Sequence, residues 1–246
     1  MLRKPYVAGS FYPSNKDELM KLLNTFDKHI KVKKYGDIKA VISPHAGYIY
    51  SGFVAAHSFK VLKENHSGNK FILMGPSHYY AFENAYTSDY EAWQTPLGLV
   101  KSNPIKEVKV NNSAFIPEHS LEVQLPFLQY YFKNPEIYPI LISMLKDVDK
   151  IARIVEKYNL PIIVSSDLSH YHPYEEAIEI DTKTIENILS YDTSFLDACG
   201  RESIKVLLHI AKKQHWFSEL VNYMNSGDVA SKDSVVGYAS IVFYGD

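Results

Sequence analysis

A single cysteine, Cys199, stands in a chain of 246 residues, so no disulfide closes within it. That usage fits a reducing compartment, and the cytoplasm is the expected location. No apolar run approaches the ~18 residues of a membrane span. Met1-Leu2-Arg3-Lys4-Pro5 is not followed by the apolar stretch of a secretory signal. An excess of one charge is missing too. Twenty-six Lys and Arg face 28 Asp and Glu, a net −2 with His neutral. The longest basic block, Lys31-Val32-Lys33-Lys34, reads as a solvated helix end. The chain therefore carries no electrostatic footprint for nucleic acid or an anionic membrane. A GxSxG elbow, a P-loop, a Rossmann glycine triplet and an HExxH helix are all absent, which leaves those chemistries without support. Internal repeats, low-complexity tracts and linkers are absent as well, and residues 1–246 read as one domain.

What is present is a repeated grammar of strand ends. Ala40-Val41-Ile42 runs into Ser43-Pro44-His45, Phe71-Ile72-Leu73-Met74 into Gly75-Pro76-Ser77-His78, and Ile162-Ile163-Val164 into Ser165-Ser166-Asp167-Leu168-Ser169-His170. Short apolar runs of this kind are buried strands, and open α/β sheets bind ligands beyond the carboxyl ends of their strands. The expected fold is α/β: a central, largely parallel mixed sheet flanked by helices. Ser14, with Asp17 three residues on, reads as the cap of a helix over 15–31. A strand is expected over 38–42, a helix over 53–62 and a strand over 70–75, the two strands parallel neighbours in one β–α–β unit. Residues 85–90 and 97–101 read as short strands around a turn at 93–98, and 104–111 as a short helix. Ser120 is placed to cap a helix bearing Leu121, Leu125, Leu128 and Phe132, with Pro126 a kink or a new first turn. Strands at 137–143 and 161–165 flank a helix over 148–158. Further helices are expected over 174–189 and, in two pieces broken at Cys199-Gly200, over 192–213. Residues 216–224 and 235–243 alternate as an antiparallel pair closing one sheet edge.

Several of these residues bear chemistry. His45 and His78, at adjacent strand ends with small neighbours, suit two imidazole ligands of one metal ion; two hydrogen-bonded loop histidines are the competing reading. Asp167 and His170, three apart on a turn, suit an acid/base pair in which the carboxylate fixes the imidazole tautomer; the alternative is an Asx turn beside a surface histidine. His172, followed by Pro173, reads as a surface residue. His119 and Glu122 share one side of the expected helix start, as site residues or as a salt-bridged cap. A thiolate at Cys199, near Arg201 or a helix N-terminus, would have a lowered pKa; a buried inert thiol is the other reading.

These motifs, in this order, resemble the Memo (mediator of cell motility) family: AGSFYP at 8–13, SPHAGYIYSG at 43–52, GPSHY at 75–79, TPLG at 95–98, EHSLEVQLPFL at 118–128, SSDLSHY at 165–171 and ACG at 198–200. The family is similar in fold to class III extradiol dioxygenases, which hold a non-haem Fe(II) with two His and one Glu and use a further His as acid/base. Carried over, the resemblance implies His45 and His78 as imidazole ligands and Cys199 in the third ligand position. It implies His170 as acid/base with Asp167 beside it, and Phe11, Tyr50 and His119 as pocket lining. Family members often carry Trp where this chain has Phe11. The expected cofactor is a divalent metal, Fe(II) first, with Cu or Zn as alternatives. A Cys in place of Glu makes the ligand set softer and itself oxidisable, so ring cleavage does not follow from the fold.

Three functions follow as expectations. The first is a metal-dependent, dioxygenase-like oxidoreductase with a small-molecule substrate. The second is a module binding a peptide or phosphopeptide in a vestigial pocket rimmed by Tyr48, Tyr50, Tyr79 and Tyr80. The third is a metal-dependent hydrolase with His170 as base. The resemblance also implies a pathway shared with a radical SAM protein, since microbial members of the family often accompany one.

Overall fold

The computed structural model describes residues 1–245. In chain order it contains β1 (Leu2–Arg3), α1 (Lys16–His29), β2 (Asp37–Ser43), α2 (Tyr48–Asn65), β3 (Lys70–Pro76), β4 (Ala85–Thr87), β5 (Ala92–Thr95), β6 (Gly98–Ser102), β7 (Lys109–Val110) and α3 (Asn112–Phe115). A 3-10 turn at Glu122–Gln124 then leads into α4 (Leu125–Tyr131), β8 (Glu136–Ile142), α5 (Val148–Glu156), β9 (Ile162–Ser165), β10 (His170–His172), α6 (Tyr174–Leu189), α7 (Arg201–Lys213), β11 (Phe217–Asn225) and β12 (Val235–Gly245).

One mixed sheet runs β1-β5-β6-β8-β3-β9-β2-β12-β10, with β11 on the other side of β12. Its centre, β8-β3-β9-β2, is parallel throughout. Antiparallel pairing enters at β12, which lies against β2, β10 and β11, and on the far side at β4–β8 and β5–β6. The central strands are apolar on both faces because both faces are covered. Val41, Leu73, Ile163 and Leu141 point into one core with α1, α2 and α4 residues such as Leu19, Phe59 and Phe127. Their strand neighbours Ile42, Met74, Val164 and Ile140 point into a second core with Ile151, Leu207 and Ile210 of α5 and α7. The expected mixed α/β sheet with flanking helices is therefore observed, parallel at its centre and with much antiparallel pairing around it.

Several local expectations are corrected. β2 and β3 are not neighbours, because β9 lies between them. Asn15, not Ser14, caps α1, its side chain accepting from the Asp17 and Glu18 amides. Residues 93–95, expected within a turn over 93–98, belong to β5, and 104–111 hold β7 rather than a helix. Pro126 sits in the first turn of α4, where its missing N–H costs nothing. Residues 192–200 are irregular and a single helix follows from Arg201. No helix of the described residues is long and apolar enough to cross a membrane.

Candidate metal centre

The parallel strands β2, β9 and β3 end side by side, with Ser43 level with Ser165 and Ile42 and Met74 both level with Val164. The segments leaving those ends carry the site. His45 sits between β2 and Gly47, the residue before α2. His78 follows β3. His119 arrives from the segment ahead of the 3-10 turn, which crosses the end of β3 at Gly75. A Cβ there would lie 2.8 Å from Leu121 Cδ2 and 3.2 Å from Ser120 Oγ, so the missing side chain admits that crossing. Gly200 does the same for the Cys199 segment, since a Cβ would lie 2.7 Å from Ser166 Cβ and 2.9 Å from Ser165 O.

His45, His78 and His119 each offer a donor atom within 4.8 Å of the others. Their ring centroids are 5.2 Å apart for His45–His78, 5.5 Å for His45–His119 and 4.7 Å for His78–His119, the last pair stacked. No second group of three such donors comes together among the described residues.

Hydrogen bonds decide which nitrogen faces the cluster. Ser165 Oγ gives its one proton to Ser120 O at 2.6 Å. Its lone pairs then accept from Gln124 Nε2 at 2.8 Å and from His45 Nδ1 at 2.9 Å. His45 is thereby the Nδ1–H tautomer, and its Nε2 lone pair faces the cluster with Cys199 Sγ 3.3 Å away. His78 Nδ1 lies 2.9 Å from Glu118 Oε1, and Glu118 Oε2 accepts the His78 backbone N–H at 2.6 Å. Burial opposes ionisation of Glu118, but its bonds from His78 and Ser120 outweigh it and hold its pKa down to about 2. An ionised carboxylate only accepts, so His78 also carries its proton on Nδ1 and turns Nε2 to the cluster.

Burial, then the neighbouring His78, pushes His45 down to about 3. Burial and His45 bring His119 to about 4. Burial disfavours protonation of His78 too, but the bond to Glu118 prevails and its pKa is raised. Two of the three imidazoles are therefore neutral ligand forms at pH 7. Glu118 and Asp167 are buried, and neither carboxylate is paired with Lys or Arg among the described residues. Two buried acids with no fixed cation match a divalent ion.

Cys199 Sγ lies 3.3 Å from His45 Nε2 and accepts the Asp167 N–H at 3.3 Å. Burial, with the Asp167 carboxylate beside it, pushes the thiol up rather than down. Arg201 instead meets Glu202 at 3.4 Å. Asp167 turns its carboxylate to the His45 backbone N–H at 2.7 Å, and no hydrogen bond joins it to His170 among the described residues. Burial raises Asp167, partly offset by that N–H and by His170. His170 opens β10 beside Tyr171, whose φ of 64° is left-handed and whose side chain is exposed. Phe11 packs at a tilt against His119, ring centroids 4.7 Å apart, and so walls the site. Tyr50 is exposed on the first turn of α2. His172 is a surface residue bonded to Glu176 at 2.9 Å.

The expected His119–Glu122 pairing does not form. Glu122, fully buried, binds Arg3 Nη1 at 2.7 Å, Tyr12 Oη at 2.7 Å and the Tyr6 and Val7 amides. It thus pins the N-terminal segment that delivers Phe11. Ser165, Gln124 and Glu118 were not singled out from the sequence; only the acid beside His119 in Glu118-His119-Ser120 was a signal.

The Memo-like protein family model matches residues 3–242. The MEMO1 family protein of Archaeoglobus fulgidus is 36% identical over 268 residues, covering 98% of this chain and 99% of its own. MEMO1 family protein PAE0818 of Pyrobaculum aerophilum is 35% identical over 278 residues, covering 99% of both. The MEMO1 family protein of Nitrosopumilus maritimus is 36% identical over 276 residues, covering 99% of this chain and all of its own. Similarity that runs from the segment under Glu122 through every strand end of the site to the last strand places this chain in the Memo family.

Proposed function

We propose that the protein holds a divalent metal, Fe(II) first and Cu or Zn as alternatives, in a dioxygenase-like site with redox activity toward a small molecule. The observation that carries this reading is the wiring of His45 and His78. Each ring donates its Nδ1 proton outward, to Ser165 and to Glu118, and turns Nε2 to a common centre. These two nitrogens would be ligands, with His119 or Cys199 as the third.

Bound there, the ion would supply a Lewis-acidic and, for iron or copper, redox-active centre. The chain's own residues do the rest. Phe11 and Tyr50 form the wall against which a substrate lies. His170 takes or returns the substrate proton. Asp167 anchors the His45 backbone.

The test is metal content by mass spectrometry after anaerobic purification of the wild type, His45→Ala, His78→Ala, His119→Ala and Cys199→Ser. Near-stoichiometric metal in the wild type, lost in both His45→Ala and His78→Ala, supports the reading. The remaining two variants identify the third ligand. A wild type that takes up no Fe, Cu or Zn contradicts it. The exposed Tyr50, Tyr79 and Tyr80 favour a second reading, a peptide-binding rim, which that negative result would promote.

A further inference from the structure

We infer that Glu118 is the positioning residue of the site: it sets the donor nitrogen of His78 and is the anchor that admits His119 as a ligand. This rests on the metal reading above. The carboxylate is buried and spans three groups at once. Oε2 accepts the His78 backbone N–H at 2.6 Å, and Oε1 accepts His78 Nδ1–H at 2.9 Å and the Ser120 N–H at 2.9 Å. The two contacts to one residue fix both the backbone and the ring of His78. The third fixes the segment that carries His119.

A second observation points the same way. His119 Nδ1 is buried and has no hydrogen-bond partner, and the atom it faces, Glu118 Oε1, is 3.7 Å off. A buried imidazole nitrogen left unpaired is costly. A small rotation of the His119 ring brings Nδ1–H onto Glu118 and leaves Nε2 as the donor, the same arrangement His78 already has. One carboxylate then orients two of the three imidazoles and adds a negative charge beside a divalent ion. Carboxylate partners of ligand histidines typically change metal affinity 10–100-fold.

The test uses Co(II) as the probe, the full chain, and long-range 1H–15N correlation spectra of the histidine rings. Glu118→Gln keeps the shape but removes the charge and one acceptor. It is expected to bind Co(II) roughly 10–100-fold more weakly than the wild type, with altered visible d–d bands. Wild-type spectra need no variant. They should show His78 with its proton on Nδ1 in the metal-free protein, and His78 and His119 both coordinated through Nε2 in the Zn(II)-loaded protein. Wild-type affinity and an unchanged Co(II) spectrum in folded Glu118→Gln would overturn the inference. So would His78 carrying its proton on Nε2, even if Glu118→Gln fails to fold. A wild type that binds no Co(II) or Zn(II) overturns the metal reading instead, and the metal-free His78 tautomer still decides whether Glu118 sets that ring.

Discussion

Ser165 and Glu118 act on the outer nitrogens of two imidazoles, one through a hydroxyl and one through a carboxylate. The histidines themselves stand out in the sequence because each follows an apolar run by two or three residues. Their partners do not, since a serine in β9 and a glutamate 40 residues beyond His78 have no local pattern that ties them to a ring. Glu122 is a sharper case. Its partner Arg3 is 119 residues away, and the nearby His119 was the visible candidate. The Arg3–Glu122 pair is fully buried and saturated: Arg3 Nε also donates to Phe115 O at 2.8 Å, Nη2 to Glu118 O at 2.7 Å, and the guanidinium lies 4.2 Å from the Trp93 ring. Glu122→Ala leaves that guanidinium unpaired in the interior and is expected to cost about 3–5 kcal/mol in denaturant unfolding. A loss under about 1 kcal/mol would show the pair to be incidental.

At the level of elements, what was legible follows from burial. β2, β3, β8 and β9 were found because strands covered on both faces are apolar at consecutive positions, and α6 because its apolar positions recur at helical spacing. The order of the strands was not legible. β9 inserts between β2 and β3 through contacts more than 80 residues apart in sequence, and nothing local records that choice. The insertion matters for the site, because it brings Ser165 between the two histidine-bearing strand ends. The short elements failed where edge pairing overrides propensity. Residues 93–98 look like a turn, yet Ala92–Thr95 pairs with Gly98–Lys101. Residues 104–111 look helical, yet Lys109–Val110 pairs with Tyr86–Thr87.

For the whole molecule, the buried imidazoles make stability depend on pH. His45 and His119 titrate near 3 and 4 in the folded chain, against ~6.5 when unfolded. As pH falls below ~6.5 the unfolded chain takes up protons that the folded chain refuses, so stability drops. His78, with its pKa raised, works in the opposite sense: its contribution is present at low pH and lost as pH rises through its folded value. Within the cluster two lowered groups stand against one raised, and His57 and His66 are also lowered by burial, so acidification brings a net loss, about 2 kcal/mol by pH 5 for each of His45 and His119. Melts of the metal-free protein should therefore shift downward between pH 8 and pH 5. A Tm constant over that range would contradict the burial of these rings. A bound divalent ion should lift the melt and steepen its dependence on pH, because ligation requires each coordinating ring neutral.

The most direct measurement is anomalous diffraction from crystals loaded anaerobically with Fe(II), collected on both sides of the iron edge. The account predicts one strong anomalous peak within bonding distance of Nε2 of both His45 and His78, and none in the Glu118-facing space beyond His78. A peak elsewhere, or a loaded crystal with no peak between those two nitrogens, would contradict it.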